Sequence, residues 1–314
     1  MNINTLNFNP LTKENLIAVH QMCEADNVRF ITHSLQTFEK ATLGSALFEP
    51  ELSIITTDSD GNVIAFFMVV LRKPFVLRKK RRVAVLKFFV VDKKWRYRGL
   101  GSKIYSILYE KIINHEKKCF RMKFEVMVSM PDYWLPGLDP RHTEALFFLK
   151  KHGFKKGTER VNLCVNLDDI PEKQPKTELE GFKVSRATPD DNKELFSYVK
   201  KHHGFGFWPE EVDLTFQNDP ITTFIIRDNK TGKIEGWASH TVHFPGSFGP
   251  TGVSKKFRGK GLGALLLNWC LWDIKQLELK IAKIMWVTGN TVYFYLKSKN
   301  AHICEFFWIM KKRI

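Results

Sequence analysis

The sequence predicts a mixed α/β fold that occurs twice, as two similar domains within one chain. The phrase "WRYRGLGS" at residues 95–102 returns as "FRGKGLGA" at residues 257–264, with an Arg three residues before a Gly-x-Gly in each copy. Gly99 and Gly261 are 162 residues apart (261 − 99), which is about one domain length. The chain has 314 residues, 44% of them hydrophobic, and can bury two cores. A duplication at the scale of a domain accounts for these observations.

The first half carries patterns typical of helices and strands in turn. An amphipathic helix pattern opens it at residues 11–25. Helix patterns follow the phrase at residues 102–115 and 143–154, and Gly153 marks the end of the second. Apolar runs bounded by turn residues predict strands at residues 51–58, 63–71, 83–92, 121–130 and 159–167.

The same order restarts after the polar segment 168–182, which contains two prolines and predicts a linker. Thr188 begins a helix pattern that runs to residue 203, and another helix pattern at residues 263–278 follows the second phrase. Strand patterns fall at residues 222–228, 234–244, 247–254, 281–288 and 305–314. We therefore expect an N-terminal domain at residues 1–170 and a C-terminal domain at residues 180–314.

Charge and cysteine content restrict the classes of function. The formal charge is +16, and much of it lies in residues 72–98, where basic residues alternate with Val, Leu and Phe as in a half-buried strand. Such a face can bind a phosphate-rich ligand, an anionic surface or, as an alternative that salt dependence would identify, nucleic acid. Five cysteines without a CxxC pair predict reduced thiols and no metal site. Without a leader pattern or a run of about 18 apolar residues, we expect a cytoplasmic protein with no membrane insertion.

Each phrase lies between an extended segment and a helix, where backbone N–H groups lack partners within the helix. Glycine removes the Cβ that would keep a ligand from the backbone, and the helix dipole adds positive charge. Neither copy has the third Gly of a dinucleotide-binding G-x-G-x-x-G, so the phrases predict pyrophosphate sites outside a Rossmann fold. The predicted binding residues are Arg96, Arg98, Gly99, Gly101 and Ser102 in the first copy, and Val253, Ser254, Arg258, Gly259, Lys260, Gly261, Leu262, Gly263 and Ala264 in the second.

The strings "RYRGLG" and "RGKGLG" match the pyrophosphate motif (Gln/Arg)-x-x-Gly-x-(Gly/Ala) of the GNAT superfamily of acyl-CoA-dependent N-acetyltransferases. Further along each half, "ALFFLKKHGF" and "YFYLKSKNA" stand where that family commonly has A-x-x-x-Y-E-K-x-G-F. The chain therefore resembles a tandem GNAT acetyltransferase over nearly its whole length. The resemblance implies two domains, each a mostly antiparallel mixed sheet with helices on both faces. It also implies that acetyl-CoA enters where two central strands splay apart and that an amine accepts the acetyl group.

The resemblance further implies a Tyr in the last helix of a catalytic domain, where its hydroxyl protonates the departing CoA thiolate. The first domain has Leu149 at that place, and the second has Tyr295, with Tyr293 as the alternative. We therefore expect catalysis in the second domain. The first domain is then a degenerate copy that binds CoA unproductively or shapes the substrate cleft.

The general base is less well defined by the sequence. His240 and His243 lie on one strand pattern and, because their separation is odd, should point to opposite faces, so at most one reaches the cleft. His240 is the first candidate. Glu210, Glu211 and a water molecule are alternatives.

Aromatic residues near the predicted cleft suit stacking against a sugar face. Trp208, Glu210 and Trp286 are the predicted acceptor-binding residues, and Phe205 and Phe207 lie beside the first. The resemblance to bacterial glucosamine or glucosaminide N-acetyltransferases implies an amino-sugar amine. The mycothiol synthase type, which acts on a cysteinyl glycoside, is an alternative, as is a non-catalytic acyl-CoA sensor or nucleic-acid-binding module. A homodimer is compatible with each of these interpretations.

Overall fold

The computed structural model describes residues 6–25, 33–72, 82–115, 122–203 and 206–314. The chain forms two compact units. Unit 1 comprises Met1–Arg160 together with Glu305–Ile314, and unit 2 comprises Val161–Cys304. The expected boundary in the polar segment 168–182 is therefore wrong, because the chain passes into unit 2 at residue 161 and leaves it again before residue 305.

Unit 1 has a sheet whose order is β1-β2-β3-β4-β5-β13. Strands β1 to β4 pair antiparallel, β5 pairs parallel with β4, and β13 pairs antiparallel with β5. One apolar cluster packs with α1 and α2, and a second packs with α3 and α4. The elements are β1 (Asn7–Asn9), α1 (Leu16–Ala25), α2 (Leu35–Ala41), β2 (Ser53–Thr57), β3 (Val63–Arg72), β4 (Val83–Val91), α3 (Leu100–His115), β5 (Lys123–Val126), α4 (Thr143–Lys151) and β13 (His302–Arg313).

Unit 2 repeats the plan with the order β6-β12-β11-β10-β9-β8-β7. Here β11 and β12 are the parallel pair, and the other pairs are antiparallel. One cluster packs with α7, and another packs with α5 and α6. The elements are β6 (Lys155–Asn166), β7 (Glu178–Leu179), β8 (Phe182–Arg186), α5 (Asn192–His203), α6 (Trp208–Thr215), β9 (Thr223–Asp228), β10 (Ile234–His240), β11 (Ser247–Val253), α7 (Leu262–Lys275), β12 (Ile281–Val287) and α8 (Thr291–Lys299).

The segment predicted to be a linker is a packed part of unit 2. Ile170 and Phe182 are buried in its core. The indole of Trp269 donates to the Lys176 carbonyl at 2.8 Å, and Lys275 Nζ donates to the Ile170 carbonyl at 2.6 Å. The polar composition led to the wrong prediction because a few apolar residues anchor this segment in the core. Side chains of α7 also donate hydrogen bonds to its backbone carbonyls.

The prediction of reduced cysteines is wrong for two of the five. Cys164 on β6 and Cys304 at the start of β13 form a disulfide that encloses nearly all of unit 2. Cys23 and Cys270 are free, and Cys119 lies outside the described residues. The pairing was invisible in the sequence because its partners are 140 residues apart and become neighbours only when the two strands align.

The described residues bear on membrane insertion and on metal binding. None of their helices has the length and apolar character needed to cross a membrane. Within the same ranges, no group of three or more His, Cys, Asp or Glu side chains could hold a metal ion.

Candidate functional site

The two glycine phrases fold into the same loop. Each begins with a 3-10 turn after the strand, at Lys93–Trp95 and at Lys255–Phe257. Two left-handed residues follow in each copy: Tyr97 (φ 60°) and Gly99 (φ 85°) in unit 1, and Gly259 (φ 83°) and Gly261 (φ 80°) in unit 2. Tyr97 and Gly259 are 162 residues apart, as are Gly99 and Gly261. The backbone of Tyr97 is in a left-handed conformation that residues other than Gly seldom adopt. Unit 1 therefore keeps the loop shape although Tyr97 stands where unit 2 has Gly259.

The basic residues of the phrases have equivalent roles as well. Arg96 Nε donates to the Val91 carbonyl at 3.0 Å, and Arg258 Nε donates to the Val253 carbonyl at 3.3 Å, which ties each loop to the end of its strand. The next basic residues lie over aromatic rings at equivalent positions. The Arg98 guanidinium is 5.5 Å from the Trp95 ring centre, and Lys260 Nζ is 5.7 Å from that of Phe257. The repeated aromatic residue was a signal in the sequence that our motif analysis missed.

Each loop ends in a helix start with unused N–H groups. The first helical hydrogen bonds run from Lys103 N to the Gly99 carbonyl and from Leu265 N to the Gly261 carbonyl, both at 3.0 Å. The N–H groups between them therefore have no partner within the helix. They belong to Leu100, Gly101 and Ser102 in α3 and to Leu262, Gly263 and Ala264 in α7.

Glycine at the second helical position allows a ring to pack close to the helix start. A Cβ built on Gly101 would lie 3.4 Å from the Phe148 ring of α4, and one on Gly263 would lie 3.5 Å from the Phe294 ring of α8. The two contacts show that α4 and α8 cover equivalent loops. They also support the predicted alignment, because Leu149 and Tyr295 are the residues that follow those rings.

The central parallel strands separate in each unit, as the resemblance implied. In unit 1 the pairing of β4 with β5 ends at Leu86 and Val126, and in unit 2 the pairing of β11 with β12 ends at Phe248 and Ile284. Beyond these points β4 stays paired with β3 and β11 with β10, but neither pairs with its parallel neighbour on the way to its phrase. The structure therefore has a split between strands that leads from each helix start into the sheet.

A pocket of about 810 Å³ lies at the phrase of unit 1. It reaches from Ser102 at the helix start along β4 to Phe89, with Phe148 of α4 as the opposite wall. Arg96 and Lys151 contribute positive charge, Glu144, which lies 3.7 Å from Arg96, contributes negative charge, and most of the wall is apolar or aromatic. The Ser102 hydroxyl is 3.1 Å from His152 Nε2 at the end of α4. An elongated ligand with an anionic end and an apolar arm fits this arrangement.

Tyr295 lies at the base of the split in unit 2. Its ring is 7% exposed and packs against Phe248, with ring centres 5.9 Å apart, and against Phe294 at 4.9 Å. Burial raises the pKa of the phenol, so the hydroxyl keeps its proton at neutral pH. The alternative residue, Tyr293, is 67% exposed and points away from this core.

His240 is fully engaged in a buried network. Its Nε2 is 2.9 Å from Asp273 Oδ2, and its Nδ1 is 3.0 Å from the Thr241 hydroxyl. Asp273 also accepts two hydrogen bonds from the Arg186 guanidinium. Burial lowers the pKa of His240, while hydrogen bonding and the charge of Asp273 oppose this shift. With a hydrogen-bond partner at each ring nitrogen, His240 connects β10 to α7, and its role as a general base stays a prediction.

The acidic pair on α6 divides into an exposed and a buried residue. Glu210 is exposed, whereas Glu211 is 3% exposed and lies 4.0 Å from His243 Nε2. Burial, and to a smaller extent the charge of Glu210, raises the pKa of Glu211. Of the two carboxyl groups offered as alternative bases, Glu211 is thus the buried one, and the acceptor-binding role of the exposed Glu210 stays a prediction.

The two predicted tryptophans are half-buried. Trp208 lies 6.0 Å from Trp237 and 6.2 Å from His203, measured between ring centres. Trp286 has a left-handed backbone (φ 53°) at an irregularity of β12, where its N–H donates to Asn162 Oδ1 at 2.9 Å. Phe205 lies outside the described residues. The structure thus adds His203 and Trp237 to the aromatic group that the sequence indicated around Trp208.

Comparisons with known proteins support the fold. No protein-family model and no curated protein matches the sequence. A solved structure described as a glucosamine N-acetyltransferase region of a fungal multi-domain β-N-acetylglucosaminidase matches 98% of this chain with a TM-score of 0.77 and 14% identity; the chain spans 38% of that fungal protein. A GCN5-related N-acetyltransferase from Sphaerobacter thermophilus matches 98% of this chain and 95% of its own, with a TM-score of 0.73 and 15% identity.

A third solved structure is a tandem GNAT protein from the clavulanic acid biosynthesis pathway. It matches 98% of both chains with a TM-score of 0.70 and 17% identity. Identities this low establish the fold alone. Together with the duplicated loops and split strands, they show that this chain has the tandem GNAT fold.

Proposed function

We propose that the chain is an acyl-CoA-dependent N-acyltransferase that uses acetyl-CoA and acts on a small primary amine. The observation that carries this proposal is the duplicated loop, in which free helix N–H groups, basic side chains and a split between strands occur together. A loop of this kind binds a pyrophosphate at the helix start and leaves the split for the arm that ends in a thioester. When bound, acetyl-CoA supplies an activated acetyl group.

The side chains of unit 2 support the proton transfers that the reaction needs. The amine must lose a proton, and the departing thiolate must gain one. Tyr295 holds its proton at the base of the split, where the corresponding residue of unit 1, Leu149, has none to give. The titratable side chains of Glu211 and His243 have little exposed surface and lie 4.0 Å apart, and α6, which carries Glu211, packs in a different apolar cluster from α7. We propose Tyr295 as general acid and His243, beside the carboxyl group of Glu211, as the group that receives the proton of the amine.

An amino sugar is the acceptor class that we propose. Trp208 presents a half-buried ring on the same helix, three residues before Glu211, so ring and carboxyl lie on one face of α6. An aromatic face beside a carboxyl group suits a sugar ring that carries an amine. The solved structure from the fungal protein, described as a glucosamine N-acetyltransferase region, is consistent with this choice.

A panel assay tests the proposal. Release of CoA from acetyl-CoA is measured with glucosamine, short chitooligosaccharides, a cysteinyl glycoside, polyamines and peptides as acceptors. We expect the amino sugars to give the highest kcat/KM and the product to carry one acetyl group on nitrogen. If CoA is released only with an amine that is not an amino sugar, the proposed acceptor class is wrong. If calorimetry shows no acetyl-CoA binding, the proposed function as a whole is overturned.

A further inference from the structure

Unit 1 has a buried lysine where its central strand bulges. The register of β3 with β4 shifts between Met68 and Val69, which leaves Lys87 as the extra residue directly after the last paired position, Leu86. The side chain of Lys87 has no exposed surface, and its Nζ lies 3.1 Å from Asp132 Oδ2. Lys87 therefore occupies the point at which β4 and β5 separate.

Unit 2 has an open space at the equivalent point. The bulge of β11 lies between the pairs Ala238–Thr251 and His240–Phe248, at Gly249 and Pro250. Gly249 is 162 residues from Lys87, the spacing that relates the two phrases. A Cβ placed on Gly249 would have no atom within 4 Å. The same bulge is thus filled by a lysine in unit 1 and left empty in unit 2.

Lys87 lies on β4 two residues before Phe89, which lines the unit 1 pocket. The unit 1 pocket runs from the helix start along β4 to Phe89, and Lys87 lies four residues before Val91, about 13 Å along the strand at roughly 3.3 Å per residue. Asp132 precedes Trp134, whose ring packs on Phe88 in the cluster covered by α1 and α2. An amine that approaches a thioester in the split from this face would meet the ammonium group of Lys87.

On this basis, and resting on the proposed function, we propose that Lys87, held by Asp132, fills the acceptor position of unit 1, so that this unit holds acyl-CoA without passing on its acyl group. The pair resists displacement because both charges would have to be separated in a buried setting. Among the described residues, Asp132 is the only ion-pair partner of the Lys87 ammonium. Unit 1 then serves as a site of acyl-CoA occupancy, and unit 2 as the site of transfer.

The test opens unit 1 in a protein whose second site is disabled by Gly263→Val. The double change Lys87→Gly with Asp132→Asn empties the bulge without leaving an unpaired carboxylate, and Lys87→Met keeps the position filled without charge. Calorimetry first measures acetyl-CoA binding, and release of CoA is then followed with hydroxylamine as a small nucleophile. We expect at least tenfold faster release in the opened variant and no comparable rise in Lys87→Met.

Three outcomes would overturn the proposal. Equal release rates in an opened variant that still binds acetyl-CoA would show that the lysine does not obstruct transfer. An acetyl group found on Lys87 by mass spectrometry in the unaltered protein would make the lysine an acceptor and not a barrier. Failure of unit 1 to bind acetyl-CoA, with the bulge intact, would remove the proposed role of its pocket and this inference with it.

A reciprocal variant covers the case in which the opened protein does not fold. Gly249→Lys fills the bulge of unit 2, and Gly249→Ala imposes the same backbone strain (φ 122°) without a long side chain. We expect Gly249→Lys to lower the transfer rate at least tenfold below that of Gly249→Ala, with acetyl-CoA affinity within threefold. Equal rates in the two variants would contradict the idea that a lysine at this bulge blocks the acceptor.

Discussion

Replacing Gly263 by Val tests whether the helix start of unit 2 binds the pyrophosphate. Gly263 has ordinary helical geometry, and a Cβ there would lie 3.5 Å from Phe294 and 4.0 Å from Val253, which are normal contacts. The backbone therefore accepts a side chain, and Val is a better helix former than Gly by a few tenths of a kcal/mol. Val adds two methyl groups beyond this Cβ, at the helix start whose N–H groups are expected to bind the pyrophosphate, so we expect them to hinder its approach.

The expected loss follows from the hydrogen bonds removed. A hydrogen bond to a charged group contributes about 1.5–3 kcal/mol, so losing one weakens binding by roughly ten- to a hundredfold and losing two by up to about 10⁴-fold. Calorimetry with acetyl-CoA should show one site fewer in Gly263→Val than in the unaltered protein. Gly263→Ala is the matched control, with a smaller loss. The reasoning fails if Gly263→Val folds normally and both sites keep their affinity within threefold.

Gly261→Val is a poorer test of the same loop. Gly261 has φ 80°, a left-handed conformation that costs a β-branched residue about 1–2 kcal/mol or more. Loss of binding in that variant would mix strain with obstruction. The structure therefore directs the experiment to the second glycine of the phrase.

Three further changes have defined outcomes. Tyr295→Phe should lower kcat by roughly 10²- to 10⁴-fold with acetyl-CoA affinity unchanged, and Tyr293→Phe, at an exposed ring, should be mild; the reverse pattern in steady-state kinetics would reject the alignment. Burial raises the pKa of Glu211 in the folded state, so the unfolded protein loses this proton at a lower pH than the folded one and the free energy of unfolding falls as pH rises. Glu211→Gln lacks this effect, so its stability relative to the unaltered protein should increase from pH 5 to 8 in urea titrations. The same pH dependence in both proteins would contradict this. Cys164→Ser should destabilise unit 2 by up to about 5 kcal/mol, the loop-entropy value for the 140-residue separation, and unchanged denaturation midpoints under oxidising conditions would show that the disulfide contributes nothing.

Local signals predicted the repeated parts of the molecule well. The glycine phrases, the helix that follows each and the strand before each depend on residues close in sequence, and the structure has them at the predicted places. Leu149 and Tyr295 also pack in equivalent cores, as the alignment indicated. These features follow from short-range rules of helix initiation and side-chain alternation.

These short-range rules could not predict which residues distant in sequence pair with one another. Nothing near Cys304 indicates that its partner is Cys164, and nothing in the sequence of β13 shows that it joins β5. The bulge at Lys87 appears only when β4 is paired with β3, because an extra residue in a strand is defined by its partner. The network around His240 was also beyond those rules, since Asp273 comes from α7 and Arg186, which donates to Asp273, comes from β8.

The return of β13 to unit 1 has a consequence for the order of folding during synthesis. Domains usually fold as they leave the ribosome, the N-terminal one first. Here residues 161–304 are available before residues 305–314, so unit 2 can close around its disulfide while β5 of unit 1 still lacks its neighbour. Until β13 arrives, the edge of β5 presents unpaired backbone groups of the kind that recruit other chains. The half of the protein made first is thus the half completed last, and a nascent chain stalled before residue 305 would be prone to aggregate through unit 1.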